Sequence, residues 1–189
     1  MAKKTKVETT DEEVQAPDEA PVEDNYNEEA DDPTEGLGAL DFNVSDEYKP
    51  DPLTPKGTYY GAVVKVSFNP DQHCIIWEVV LHDNGGLQSD GESQIDGAHQ
   101  WFRNWLPRPG DEDTLTKSGK STKRQSKINM LKNFAEAMKI DISTPAQIAA
   151  AISEAQWIGL EVEAEIDIDE YLGKFRNVIN RMKVSKMYG

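Results

Sequence analysis

From Thr58 onward, apolar residues recur with a period of either two or about 3.6; before residue 50 they recur with neither. Period two puts successive side chains on opposite faces of a strand, and period 3.6 puts an apolar stripe along a helix. The run TYYGAVVKVSF sets Tyr60, Ala62, Val64, Val66 and Phe68 against Tyr59, Gly61, Val63, Lys65 and Ser67. It predicts a first strand, ended by the turn residues Asn69-Pro70-Asp71. CIIWEVVLH predicts a second, with Ile75, Trp77, Val79 and Leu81 on one face. Beyond the polar loop DNGGLQSDGESQIDG, HQWFRNWLP predicts a short third strand, stopped by Pro107 and Pro109.

The period then changes. Ile128, Leu131, Phe134, Ala135 and Met138 form a stripe that predicts a helix over about 122–140. Thr144-Pro145-Ala146-Gln147 carries an N-cap, a proline at the first helical position and a capping-box glutamine. That predicts a second helix, ending near Trp157. In the last segment Leu160, Val162, Ala164, Ile166 and Ile168 alternate with Glu161, Glu163, Glu165, Asp167 and Asp169. This is a half-buried strand with a solvated acidic face. Tyr171-Leu172-Gly173-Lys174 turns it into a return strand whose Arg176, Arg181 and Lys183 can pair with those acids. The expected fold is mainly β with two helices, an α+β domain. Five strands with the helices between the third and fourth suit an OB-type Greek-key barrel.

Charge divides the chain at about residue 51. The formal net charge is −15, and residues 1–51 hold 17 acids against four bases. Residues 52–189 are therefore nearly neutral, and an anionic ligand is compatible with them. The first 51 residues cannot bury enough apolar surface to offset roughly 1–2 kcal/mol of backbone entropy per residue. They are expected to form a disordered acidic arm. Leu37, Leu40, Phe42 and Val44 are an apolar patch within it, able to fold onto a partner or onto the chain's own domain. No window approaches the 18 or so apolar residues of a membrane helix, and the basic start lacks the apolar core of a secretory signal. One cysteine, Cys74, excludes an intrachain disulfide and fits a reducing cytoplasm.

Catalytic and metal motifs fail on spacing. Ser118-Gly119-Lys120-Ser121-Thr122 resembles the end of a phosphate-binding P-loop, but Thr114 stands where its first glycine belongs and no strand leads into it. His73, Cys74, His82 and His99 show no zinc spacing. The carboxylates lie in the arm or on a regular strand face, where nothing tunes a catalytic pKa. A binding protein without cofactor or metal is expected, not an enzyme.

Two clusters remain. Period two puts Trp101, Arg103 and Trp105 on one strand face, an aromatic-cation-aromatic stripe suited to stacking on unpaired bases. Alternatively both tryptophans are core and Arg103 covers an edge. Lys117, Lys120, Lys123, Arg124, Lys127 and Lys132 lie in a stretch with no acid between Thr114 and Ala135, suited to following a phosphate backbone.

PKGTYYGAVVKV, the central aromatic strand, the helix with LKNFAEAM and the closing IGLEV…EYLGKFRNV hairpin occur together over about residues 52–184. In this the chain resembles the phage and prophage OB-fold proteins that bind single-stranded DNA in replication and recombination. The resemblance implies DNA binding across the barrel face, with Trp101, Arg103 and Trp105 as the stacking strand. It places Tyr171, Lys174, Phe175 and Arg176 at a hairpin tip around the strand. Many such proteins end in an acidic tail that recruits replication proteins; here the acidic segment is N-terminal. The arm is accordingly expected to compete with DNA for the basic surface or to recruit replication or recombination proteins. A structural or adaptor protein, such as a virion component, is the other class the residues allow.

Overall fold

The computed structural model describes residues 39–41, 44 and 48–186. Nearly all of the acidic arm expected over residues 1–51, with Leu37 and Phe42 of its apolar patch, lies outside them. The chain divides into two units, Met1–Tyr48 and Lys49–Gly189. The second unit carries five strands and two helices: β1 (Gly57–Asn69), β2 (Cys74–Leu81), β3 (His99–Trp105), α1 (Lys123–Met138), α2 (Pro145–Ser153), β4 (Glu161–Tyr171) and β5 (Lys174–Val184).

All strand pairs are antiparallel, in the order β3-β2-β1-β4-β5. The ladder is open, with β3 and β5 at its two ends. These ends nevertheless touch, and α1 packs on both of them. Thr54, fully buried, also ties them together. Its hydroxyl accepts a 3.0 Å hydrogen bond from Gln100 Nε2 of β3, and its backbone N–H donates at 2.8 Å to Asn177 Oδ1 of β5.

The period-two reading of β2 holds: Ile75, Trp77, Val79 and Leu81 are all fully buried. In β1 one uninterrupted alternation does not hold. Val63 pairs with Val79 but Lys65 pairs with Glu78, so Val64 is an extra residue, a β-bulge. The bulge exchanges the faces of the strand. Before it Val63 is buried; after it Val66 packs on the core, while Lys65 and Phe68 are exposed.

Trp77 is the centre of the core. Its ring stacks on Trp157 at 5.0 Å and tilts against Phe134 at 5.1 Å, and Phe134 stacks on Phe102 at 5.2 Å. Its one polar atom, Nε1, donates to Asn104 Oδ1 at 2.7 Å, so the buried indole leaves no donor unpaired. The second helix begins where its predicted cap puts it, with Thr144 Oγ1 accepting from Gln147 N at 3.2 Å, and Thr122 caps the first in the same way, its Oγ1 accepting from Gln125 N at 3.2 Å. The second helix is shorter than expected. It stops at Ser153, because a turn with Ala155 at positive φ is needed to bring Trp157 back onto Trp77.

Candidate nucleic-acid interface

Burial alternates along β3. Gln100 and Asn104 are buried and Phe102 packs on the core, whereas His99, Trp101, Arg103 and Trp105 face out. Trp101 is 49% exposed and Trp105 42%. The alternative that made both of them core is overturned; the buried tryptophans are Trp77 and Trp157.

The register extends this stripe across two more strands. Lys65 of β1 lies opposite Glu78 of β2, which lies opposite Trp101; in the next row stand Ser67, Ile76 and Arg103. Strands are about 4.8 Å apart, and alternate residues along one about 6.7 Å. These six side chains therefore form a patch on the scale of a single nucleobase. They line a pocket of about 300 Å³. Arg103 also lines a second crevice of about 740 Å³, at the seam between β3 and β5, with Trp105, Met130, Asn180 and Arg181. Arg181 is exposed, and although it stands opposite Glu165 it forms no ion pair within 4 Å among the described residues. Its neighbours on β5 do pair: Lys183 with Glu163 at 2.7 Å and Arg176 with Asp169 at 3.2 Å.

The basic segment forms a small turn of its own. A Leu115–Thr122 bridge closes it, Thr116 N donates to Ser121 O at 2.9 Å, and Gly119 takes φ +68 at its tip. Lys117, Lys120, Lys123 and Arg124 are exposed there. No acid occupies the first turn of α1, so Lys123 and Arg124 face the positive end of the helix dipole. An anion at that end would relieve this repulsion. Lys127 differs from the others. Its ammonium donates to Asp111 Oδ2 at 2.7 Å and to Leu106 O at 3.1 Å, with only 21% of the side chain exposed. The hydrogen bond from Lys127 holds the Asp111 carboxyl below its ordinary value. Lys127 therefore anchors the start of α1 beside the Trp105 end of β3. The acid that engages it lies three residues before the acid-free stretch, so the local charge pattern hid the pair.

The hairpin tip lies toward the other end. β1 pairs with β4 only as far as Gly57 and Ile166, so the hairpin runs on alone to its turn at Leu172 and Gly173, both at positive φ. Asn177, three residues past the start of β5, joins Thr54, which joins Gln100 near the start of β3. Tyr171 and Phe175 are 57% and 65% exposed, and Lys174 is exposed. The Arg176 guanidinium lies 4.8 Å above the Tyr171 ring while bonded to Asp169, so its charge is partly engaged within the tip. The stripe thus has the basic turn toward its Trp105 end and the tip toward its His99 end. Lys132 stands apart from this line. It pairs weakly with Glu136 at 3.9 Å and borders an apolar groove between α1 and α2.

Other titratable groups are engaged elsewhere. Burial raises the Cys74 pKa, which Arg103 and Arg108 partly oppose, so the thiol stays protonated at neutral pH. His73 bonds Pro107 O, His82 bonds Asp83 and Glu161, and His99 bonds Glu78. Among the described residues no group of three or more metal-ligating side chains is assembled, and no helix is long and apolar enough to cross a membrane.

Sequence reasoning missed Lys65, Ser67, Ile76, Glu78 and Arg181 as members of this surface. The polar interruptions of the first strand at Lys65 and Ser67 were the available signal, but their outward direction depends on the bulge at Val64. No known protein-family model matches the chain, and no curated protein matches it.

Proposed function

We propose that this chain binds single-stranded DNA with low sequence specificity, as a non-catalytic protein of phage-type replication or recombination. The exposed Trp101-Arg103-Trp105 stripe carries the proposal. Two indoles separated by a guanidinium offer stacking surfaces to successive bases and a cation to the backbone between them. Lys65 extends the positive charge across the sheet. Lys117, Lys120, Lys123 and Arg124 hold phosphates at one end, and Tyr171, Lys174 and Phe175 embrace the strand at the other.

The finer fold reading supports this role. The order β3-β2-β1-β4-β5, with β3 and β5 in contact, supports reading the fold as a five-stranded OB-type Greek-key barrel left partly open at one seam. Barrels of that type bind oligonucleotides on the face of strands 2 and 3 and on the loops joining strands 1–2 and 4–5. Here those places hold the aromatic stripe, the Asn69–His73 turn and the Tyr171–Lys174 tip. The acidic arm serves to recruit replication or recombination proteins.

The test is fluorescence anisotropy of labelled oligo-dT with the full chain at about 50 and about 200 mM salt. Binding is expected at the lower salt and should weaken steeply at the higher, as condensed counterions are released. Absence of binding at low salt, for the full chain and for a chain lacking residues 1–45, would refute the proposal.

A further inference from the structure

One residue of the stacking face is out of place on a surface for a polyanion. Glu78 stands in the middle of it, between Lys65 and Trp101 in the register. Its side chain is only 22% exposed. A carboxylate there repels phosphate, so the backbone of a bound strand gains nothing from it. His99 Nδ1 donates to one carboxylate oxygen, Oε1, at 2.7 Å and fixes the group's orientation. The other oxygen has no hydrogen bond among the described residues. Glu78 lines a pocket with the aliphatic Ile76, the Trp101 indole and the donors Lys65, Ser67 and Arg103.

A ligand that satisfies this pocket is flat, sized like a base, and presents an N–H donor beside an acceptor. Unpaired bases expose their Watson–Crick edges, and these differ in the required sense. Cytosine offers its N4 amino group as donor, and carboxylates are known acceptors for it. Its N3 and O2 are acceptors for Arg103, Lys65 or Ser67. Thymine is nearly the same size but puts the O4 carbonyl where cytosine has the amino group. That oxygen would face the Glu78 carboxylate with no proton between them.

We propose that the Lys65–Glu78–Trp101 pocket is a base-reading subsite that favours cytosine over thymine, with Glu78 as the discriminating acceptor. This rests on the single-stranded DNA-binding function proposed above and gives it a compositional bias. Phosphate contacts and stacking supply most of the affinity, and one pocket per bound strand tilts it.

The test compares oligo-dC and oligo-dT of equal length by anisotropy at mildly alkaline pH, where cytosine stays unprotonated. The full chain and its Glu78→Gln variant are used, with circular dichroism to confirm the fold. The full chain is expected to bind oligo-dC at least about fivefold more tightly, the low end of what one good base contact is worth. Glu78→Gln should bring the two affinities together, chiefly by raising that for oligo-dT. Equal affinities in the unaltered chain, or a preference unchanged in Glu78→Gln, would overturn the subsite while leaving DNA binding intact. Binding of neither oligonucleotide would remove the DNA-binding function and this subsite with it. Should Glu78→Gln unfold, Glu78→Ala and His99→Ala provide the same comparison, the latter by releasing the carboxylate from its fixed orientation.

Discussion

Asn177 pairs with Thr54 as one strand pairs with another: its side-chain oxygen accepts from Thr54 N at 2.8 Å and its amide nitrogen donates to Thr54 O at 2.7 Å. A single side chain thereby takes the place of a missing ladder rung beside the seam between β3 and β5. Replacing it with leucine leaves both backbone groups of a buried residue without partners. Asn177→Leu is expected to cost about 1–3 kcal/mol, read as a lower urea midpoint with little change in slope.

The two pairs of tryptophans should separate cleanly on mutation. Trp101→Ala and Trp105→Ala remove exposed stacking surface, and each is expected to weaken single-stranded DNA binding by about 1–3 kcal/mol while the circular dichroism melt hardly moves. Trp77→Ala opens the core and strands Asn104, at a cost of about 3–5 kcal/mol of stability. Loss of fold in the first two variants, with affinity retained in the folded fraction, would contradict the assignment.

Cations on the surface should differ by role. Lys65→Ala and Lys120→Ala are each expected to reduce the salt dependence of binding, by about 0.7 in the log–log slope for each phosphate that the variant no longer neutralises. Lys127→Met should instead lower stability, since it leaves the Asp111 carboxylate without its ammonium partner. A drop in DNA affinity for Lys127→Met at unchanged stability would reverse that distinction.

His82 links the end of β2 to β4 through Glu161, with Asp83 on its other nitrogen. Burial opposes its charged form, but the hydrogen bonds and charges of the two carboxylates outweigh this and raise its pKa above the ordinary 6.5. A raised value in the folded state means the protonated imidazole stabilises the fold. That contribution is complete below about pH 6.5 and is lost as the pH rises through the folded-state value. Denaturation midpoints measured across that range should fall more for the unaltered protein than for His82→Gln.

The strands and helices were legible because their periods are local properties of the chain. β2 and the acidic strand show their buried faces directly, the stripe from Ile128 to Met138 marks the first helix, and Thr144 announces the second. The outward stripe on β3 was legible for the same reason, although alternation alone could not say which face meets water. That depended on Trp157 and Phe134, more than 20 residues further along, arriving to fill the other side. Lys127 was misjudged because its partner acid is fixed by tertiary packing and not by neighbourhood in the chain. Glu78 and Lys65 were missed because their joint membership of one pocket is set by strand register, which the spacing of residues along a single strand does not contain.

Val64 gives the molecule a dependence on chain length that is independent of side-chain chemistry. Every outward residue of β1 beyond it owes its direction to that one unpaired position. Were it drawn into the regular pleat instead of bulging, every later side chain would change face: Lys65 and Ser67 would turn toward the core and Val66 toward solvent, with each residue's identity unchanged. Deleting the residue should therefore be tolerated, since Val63 opposite Val79 and Lys65 opposite Glu78 would become consecutive rungs of a regular ladder, whereas one further residue inserted beyond it should turn the outward face inward.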